Sequence, residues 1–234
     1  MDIKTGATPL RGGAASAQRT RDLILKAAID EFAEHGLAGG RVDRIAKRAG
    51  VNKQALYYHY GDKERLFQAA LAFGYSRFEL REIDWKNDPR PPVELMQHII
   101  GAYFDLVQRN RNHMALIVDE NRSGGRHLDS HVVRLIRTST AAAREAIVAV
   151  LERGKQSGCF SMTADPETVY LAIAALPMFY FDHRFTLSAI LKEDVLSNRR
   201  VASNRRKFIR FILDAIESRI ESRIESRNSI QPTG

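Results

Sequence analysis

The sequence predicts an all-α protein with a small N-terminal head and a larger C-terminal body, and three observations carry that prediction. Apolar residues recur at helical spacing through most of the 234 residues, and no segment shows the alternation of a half-buried strand. The stretch GGRVDRIAKRAGVNKQALYYHYGDKERLF, residues 39–67, reads as two short helices around a tight turn, followed by a further helix. The run Asp84-Trp85-Lys86-Asn87-Asp88-Pro89-Arg90-Pro91-Pro92 is a proline-rich connector and marks a boundary.

Residues 1–17, rich in Gly, Ala and Ser, are expected to be a disordered arm. From Arg19 to His35, Leu23, Ile24, Ala27, Ala28 and Phe32 follow helical spacing. Gly36 then stands where a left-handed cap closes a helix, and Leu37 can fold back onto the last turn. Val42, Ile45, Ala46 and Ala49 make one face of a second helix, Gly50 makes the turn, and Val51 is the buried staple. Asn52 is a good N-cap for a short third helix with Leu56 and Tyr60 pointing inward. Gly61 breaks that helix, and Asp62 caps a fourth that carries Leu66, Phe67, Ala70, Leu71, Phe73 and Phe78 toward Ile83.

Beyond the connector only helical patterns occur, over Val93–Gln108, Met114–Val118 and about Leu128–Gln156. Another starts at Asp165-Pro166, with proline in the first helical position, and runs to about His183. The last is expected over Asn198–Ser226. Its end repeats IESR, which places no Glu–Arg pair at i+3 or i+4 and so predicts fraying. The expected division is an arm over 1–17, a helix-turn-helix head over 18–67, a connecting helix and linker over 68–90, a body over 91–227 and a tail over 228–234.

With 44% apolar and 27% charged residues, the chain has the composition of a soluble globular protein. Its formal charge of +8 favours an anionic partner. The single cysteine, Cys159, excludes an intrachain disulfide and a cysteine-rich zinc site, which fits a reducing cytoplasm. The N-terminal segment lacks the apolar core of a signal peptide. The longest apolar run, Val169–Phe181, contains Pro177 and falls short of the roughly 20 residues that span a bilayer, so no membrane partner is expected. No Gly-rich phosphate loop, GxSxG elbow or HExxH motif occurs, which argues against an enzyme and a cofactor. His127 and His131 have a spacing that can hold a metal, but they read as surface histidines beside a loop, and no metal is expected.

The third helix carries the chemistry. Phosphate contacts position a protein on DNA, and base-edge contacts specify sequence. Lys53 and Gln54 lie in the first turn, where lysine suits guanine O6/N7 and glutamine suits adenine. Tyr57 and His59 can donate to phosphate oxygens, and Tyr58 can lay its ring on the backbone or a thymine methyl. Lys63 brings a charge to the N-terminus of the next helix, a position that favours phosphate. The stretch therefore reads as a helix-turn-helix that presents one short helix to the major groove of double-stranded DNA. Two alternatives stay open: a basic architectural protein whose binding is set by salt rather than sequence, and a helical enzyme with a DNA-binding head.

RDLILKAAIDEFAEHG, followed by IAKRAGV, LYYHY and KERLF at this spacing, resembles the TetR family of bacterial transcriptional regulators over about residues 19–67. The resemblance implies an all-helical homodimer, with a three-helix DNA-binding head and a body that binds a small effector. By position it assigns Asn52, Lys53, Gln54, Tyr57, Tyr58, His59 and Lys63 to DNA contact, and makes the helix from Asp62 the lever between head and body. Two positions depart from the pattern. Gly40 stands where the family often has threonine, which removes a cap and a phosphate contact. Asp43 is acidic where a side chain can face DNA, leaving Arg44, Lys47 or Arg48 as candidates from the second helix, or little contribution from it.

The resulting expectation is a ligand-released dimeric repressor on a palindromic operator. Dimerisation is expected through Val169–Phe181 and the Phe208–Ile224 helix. Tyr103, Phe104, His113, Phe179, Tyr180, Asp182 and His183 are the body residues that can line an effector pocket, for a ligand of apolar or aromatic character. The cluster Arg199, Arg200, Arg205, Arg206, Lys207 and Arg210 reads as a solvated helix face.

Overall fold

The computed structural model describes residues 11–77 and 87–217. Among these residues the chain forms ten α-helices and, apart from one isolated bridge between Phe160 and Glu217, no β-structure. In order they are α1 (Arg11–Gly39, broken by a kink at Gly36 with φ 65° and ψ 176°), α2 (Val42–Ala49), α3 (Lys53–Tyr60), α4 (Lys63–Ser76), α5 (Pro92–Arg109), α6 (Arg111–Arg122), α7 (Ser130–Gln156), α8 (Pro166–Asp182), α9 (Arg184–Leu191) and α10 (Asn198–Ile216). None of the described helices is long and apolar enough to cross a membrane.

The described residues fall into two compact units. The first combines the chain up to Tyr75 with Asn112–Arg134. Its core joins Ile24, Ala28 and Phe32 of α1, Ile45 of α2, Leu56 of α3 and Leu66 and Phe67 of α4. The Phe32 and Phe67 rings meet edge to face at 5.2 Å. Leu116 of α6 belongs to the same core. The Asn112 amide donates to Asp30 at 2.9 Å, and the Leu37 N–H donates to Asp119 at 2.8 Å. The head is therefore more than three helices and a lever: α6, expected in the body, packs with it. The contacts that place it there join residues 82 apart in the chain, which helical periodicity cannot reveal.

The second unit combines Ser76–Arg111 with the chain from Leu135 onward. Here α5 packs on α8 and α10. Leu95, Met96, Ile99 and Ile100 of α5 meet Ile147 and Val150 of α7, Val169 and Ile173 of α8, and Ile212, Leu213 and Ile216 of α10. Pro177 lies buried inside α8 without ending it. The proline-rich connector is closed locally, because Asp88 accepts the Arg90 N–H and guanidinium at 2.8–3.0 Å and Arg153 donates to the Arg90 carbonyl at 3.0 Å.

Three elements differ from expectation. α1 begins at Arg11, so residues 11–17 are helical rather than part of an arm. Ala14, Ala15 and Ala17 favour helix strongly, and the Thr20 hydroxyl donates back to the Ser16 carbonyl at 3.0 Å. α9 is an additional helix without a single buried residue: Leu187, Ile190 and Leu191 do recur at helical spacing, but over only eight residues. α10 ends at Ile216 instead of continuing to Ser226. Glu217 turns extended (φ −62°, ψ 145°) and the Ser161 N–H donates to the Ile216 carbonyl at 2.8 Å, drawing the chain out of the helix. The first ten residues of the expected arm, Phe78 and Ile83 of the connecting helix, Asp84–Lys86 of the connector, the rest of the IESR repeat and the 228–234 tail lie outside the described residues.

Candidate nucleic-acid interface

An eight-residue helix is not stable alone in water, so α3 owes its form to its surroundings. The Asn52 side chain accepts the Ala55 N–H at 2.8 Å and caps it. Leu56 is completely buried, which contributes on the order of 1.5–3 kcal/mol. Tyr60 is buried too, donates its hydroxyl to the Arg21 carbonyl at 2.9 Å, and lies under the Arg21 guanidinium. The turn before it needs a left-handed residue: Gly50 has φ 70° and ψ 29°, and the Gly50 and Val51 N–H groups return to the Lys47 and Ala46 carbonyls.

With Leu56 and Tyr60 inward, the opposite face of α3 is left to solvent. Lys53 and Gln54 are exposed, Tyr57 is 46% exposed and Tyr58 85% exposed, while His59 is half-buried with its ring edge to face with Tyr58. The sequence-predicted set Asn52, Lys53, Gln54, Tyr57 and Tyr58 thus shares one short, accessible surface. It combines a cation, two amides and two phenols, the donors and acceptors that base edges and phosphates need.

Lys63 and Arg44 are held more tightly than the sequence suggests. The Lys63 ammonium donates to the Leu37 and Gly40 carbonyls at 2.8 and 3.2 Å, clasping the turn between α1 and α2. Arg44 donates to Glu31 at 2.7 Å and to the Gly39 carbonyl at 3.0 Å. Arg48 makes two hydrogen bonds to Glu34, at 3.1 and 3.2 Å. Lys53 forms an ion pair with Asp43 across the turn. Gly40, a departure from the family pattern, has a packing reason: a Cβ there would sit 2.7 Å from the Phe32 ring. Sequence reasoning did not find Glu31 and Glu34, the α1 carboxylates that organise α2. The only signal was their position one helical turn apart.

Glu31 is completely buried. Burial alone would raise its carboxyl, but hydrogen bonds from Arg44 and the Arg41 N–H, with the charges of Arg44 and His35, bring it below the ordinary glutamate value. A lowered native value stabilises the fold at pH above the unfolded glutamate range and loses that contribution as pH falls through it. The wild type is expected to lose thermal stability progressively below about pH 4.5. Glu31→Gln, less stable near neutrality, is expected to show a shallower acid decline in thermal melts. Parallel declines would contradict the role given to this carboxylate.

The candidate effector residues do not converge. Phe104 and Tyr180 do meet, in an aromatic cluster with Phe181 and Phe208, and the Tyr180 hydroxyl donates to the Val195 carbonyl. Tyr103 packs half-buried against the second unit's core. Phe179 is 55% exposed and stacks on His183 at 4.2 Å, and Asp182 pairs with His183. His113 lies in the first unit, beside Phe73 and Gly74. A half-open groove of about 570 Å³ in the second unit is lined by other residues, among them Arg144, Val148, Glu167 and Tyr170. His127 is turned to Glu120, which accepts both its backbone N–H and its ring contact at 2.6 and 2.8 Å. Of the basic cluster, Arg200 pairs with Glu193, Arg205 with Asp105 and Arg210 with Asp214.

Known proteins resemble this chain along most of its length. The family of bacterial regulatory proteins named tetR matches residues 24–70, and the tetracyclin repressor-like C-terminal domain matches residues 92–212. The chain is 31% identical over 182 residues to the HTH-type transcriptional repressor NicS of Pseudomonas putida, covering 78% of this chain and 85% of that one. In fold it is similar to a tetR-family bacterial regulatory protein from Rhodococcus RHA1, with TM-score 0.65 at 20% identity over 83% of this chain and 95% of that one. It is likewise similar to the ketosteroid transcriptional regulator KstR2 of Mycobacterium tuberculosis, with TM-score 0.60 at 22% identity over 85% of this chain and 95% of that one.

Proposed function

Because this chain belongs to the TetR family and is a DNA-binding transcriptional repressor, we propose that α3 is its recognition helix, with Lys53 and Gln54 reading base edges in the major groove. The observation that supports this is the division of α3 into a buried pair, Leu56 and Tyr60, and an accessible face bearing Lys53, Gln54, Tyr57 and Tyr58. Tyr57, Tyr58 and His59 bind the sugar-phosphate backbone, and Asn52 offers its amide to a phosphate while its oxygen caps the helix. Lys63 keeps one of its three donors for a phosphate after serving two carbonyls. Arg44, whose side chain is 40% exposed, adds a peripheral phosphate contact.

The repressor acts as a homodimer on a palindromic operator, its two α3 helices about 34–36 Å apart. The proposed interface is the apolar stripe Leu171, Ala175 and Phe179 of α8 together with Phe211 of α10. Leu171 and Phe211 are 57% and 64% exposed in the single chain, on two helices that pack on each other. A small apolar or aromatic effector bound in the body releases DNA by favouring a second dimer geometry, which requires unequal affinity for the two states. The second unit, rich in aromatic residues around Phe104, Tyr180 and Phe208, supports this placement.

Selection from a random duplex library with the purified protein, followed by footprinting, tests the DNA reading. The expected product is a two-half-site palindrome. Recovery of unrelated sequences with equal affinity would favour the architectural alternative.

A further inference from the structure

The helix-turn-helix holds its own counter-charges. Arg44 is bound by Glu31, Arg48 by Glu34 and Lys53 by Asp43. Glu31 is buried and shapes the turn. Asp43 differs: it is 66% exposed in the first turn of α2, and its partner is the cation that opens α3. A duplex that approaches Lys53 therefore also approaches a carboxylate, and must replace an existing ion pair.

We propose that Asp43 is a specificity-determining residue: by holding Lys53 it penalises DNA that offers only phosphate and favours sites whose base edges replace the pair. This rests on the reading of α3 as the recognition helix. Discrimination is a difference of affinities, and a repulsive element against the wrong partner raises it as effectively as a new contact to the right one. A random duplex rarely sets guanine at the register of Lys53 and so offers it mainly phosphate, whose charge is then drawn up against Asp43 as well. A site with guanine O6 and N7 at the correct register gives the ammonium two acceptors, remote from the phosphates. Asp43 thus lowers both affinities, but lowers the non-specific one more.

The test measures binding of the full-length wild type, Asp43→Asn and Asp43→Glu to two probes of equal length, the duplex recovered by selection and a random-sequence duplex, between about 50 and 200 mM salt. Asp43→Asn is expected to bind the random duplex more tightly, with a salt slope steeper by about 0.9, an extra loss of about threefold across that range. Its preference for the selected duplex narrows, and Asp43→Glu keeps the wild-type ratio. Asp43→Ser, which retains an oxygen in the first turn of α2, gives the same narrowing if the asparagine variant does not fold. A discriminating wild type whose ratio is unchanged in Asp43→Asn overturns this inference alone. A wild type that does not discriminate at all overturns the recognition-helix reading, and this inference with it.

Discussion

Exchanging both Leu171 and Phe211 for arginine is expected to yield a folded monomer whose affinity for a two-half-site duplex falls by about 10²–10⁴-fold. Both side chains are more than half exposed in the single chain, so the new charges remain hydrated and the body's own core is untouched. In a dimer the same charges would be buried against their symmetry mates, and each unpaired buried ion costs several kcal/mol. Loss of the second head then turns linked binding into single-site binding. Truncation after Ser203 is a poorer experiment, because it also removes Ile212, Leu213 and Ile216 from the core. Sedimentation and a mobility shift on the selected duplex check the expectation. A double variant that still sediments as a dimer would move the interface away from α8 and α10.

The second large effect concerns base readout. Lys53→Ala and Gln54→Ala are each expected to cost about 1–3 kcal/mol on the selected duplex and to relax preference at particular base pairs. Both side chains are exposed and neither packs in the head's core, so the fold is expected to survive either change. Lys53→Ala carries a further signature. It frees Asp43 from its ion pair, leaving a carboxylate near the backbone that weakens binding to every sequence in addition to the specific loss. Gln54→Ala lacks that general component. Competition binding against duplexes substituted at single positions separates the two effects. Unchanged preference after both substitutions would remove these residues from base readout.

Much of the head was legible because its determinants are local. Asn52, Leu56 and Tyr60 fix the phase of α3 within nine residues, and that phase alone sorts the exposed face from the buried one. Gly50 announces the turn for the same reason. The head's electrostatic organisation was not legible, because Glu31 and Glu34 reach Arg44 and Arg48 from a different helix. Lys63 illustrates the limit. Its place at the start of α4 suggested a free phosphate ligand, whereas in the fold it closes the α1–α2 turn through carbonyls 23 and 26 residues earlier.

The body shows the same contrast. The stripes of α5, α7 and α8 follow from periodicity over many turns, whereas α9 offers only two turns between α8 and α10 and buries none of its residues. The end of α10 depends on pairing with the segment at Phe160 and Ser161, which no reading of the IESR repeat supplies. The candidate pocket residues were chosen by side-chain type, and type does not determine convergence. Phe104 and Tyr180 meet in the body, while His113 packs against α4 in the other unit.

Methylation interference on the selected duplex tests the placement of α3 most directly. Methyl groups on guanine N7 project into the major groove, and those on adenine N3 into the minor groove. A recognition helix led by Lys53 and Gln54 predicts interference at guanine N7 in both half-sites, centred about one helical turn apart, and its loss at the Lys53-contacted guanine in Lys53→Ala. Interference confined to adenine N3, or at no base at all, would contradict the account.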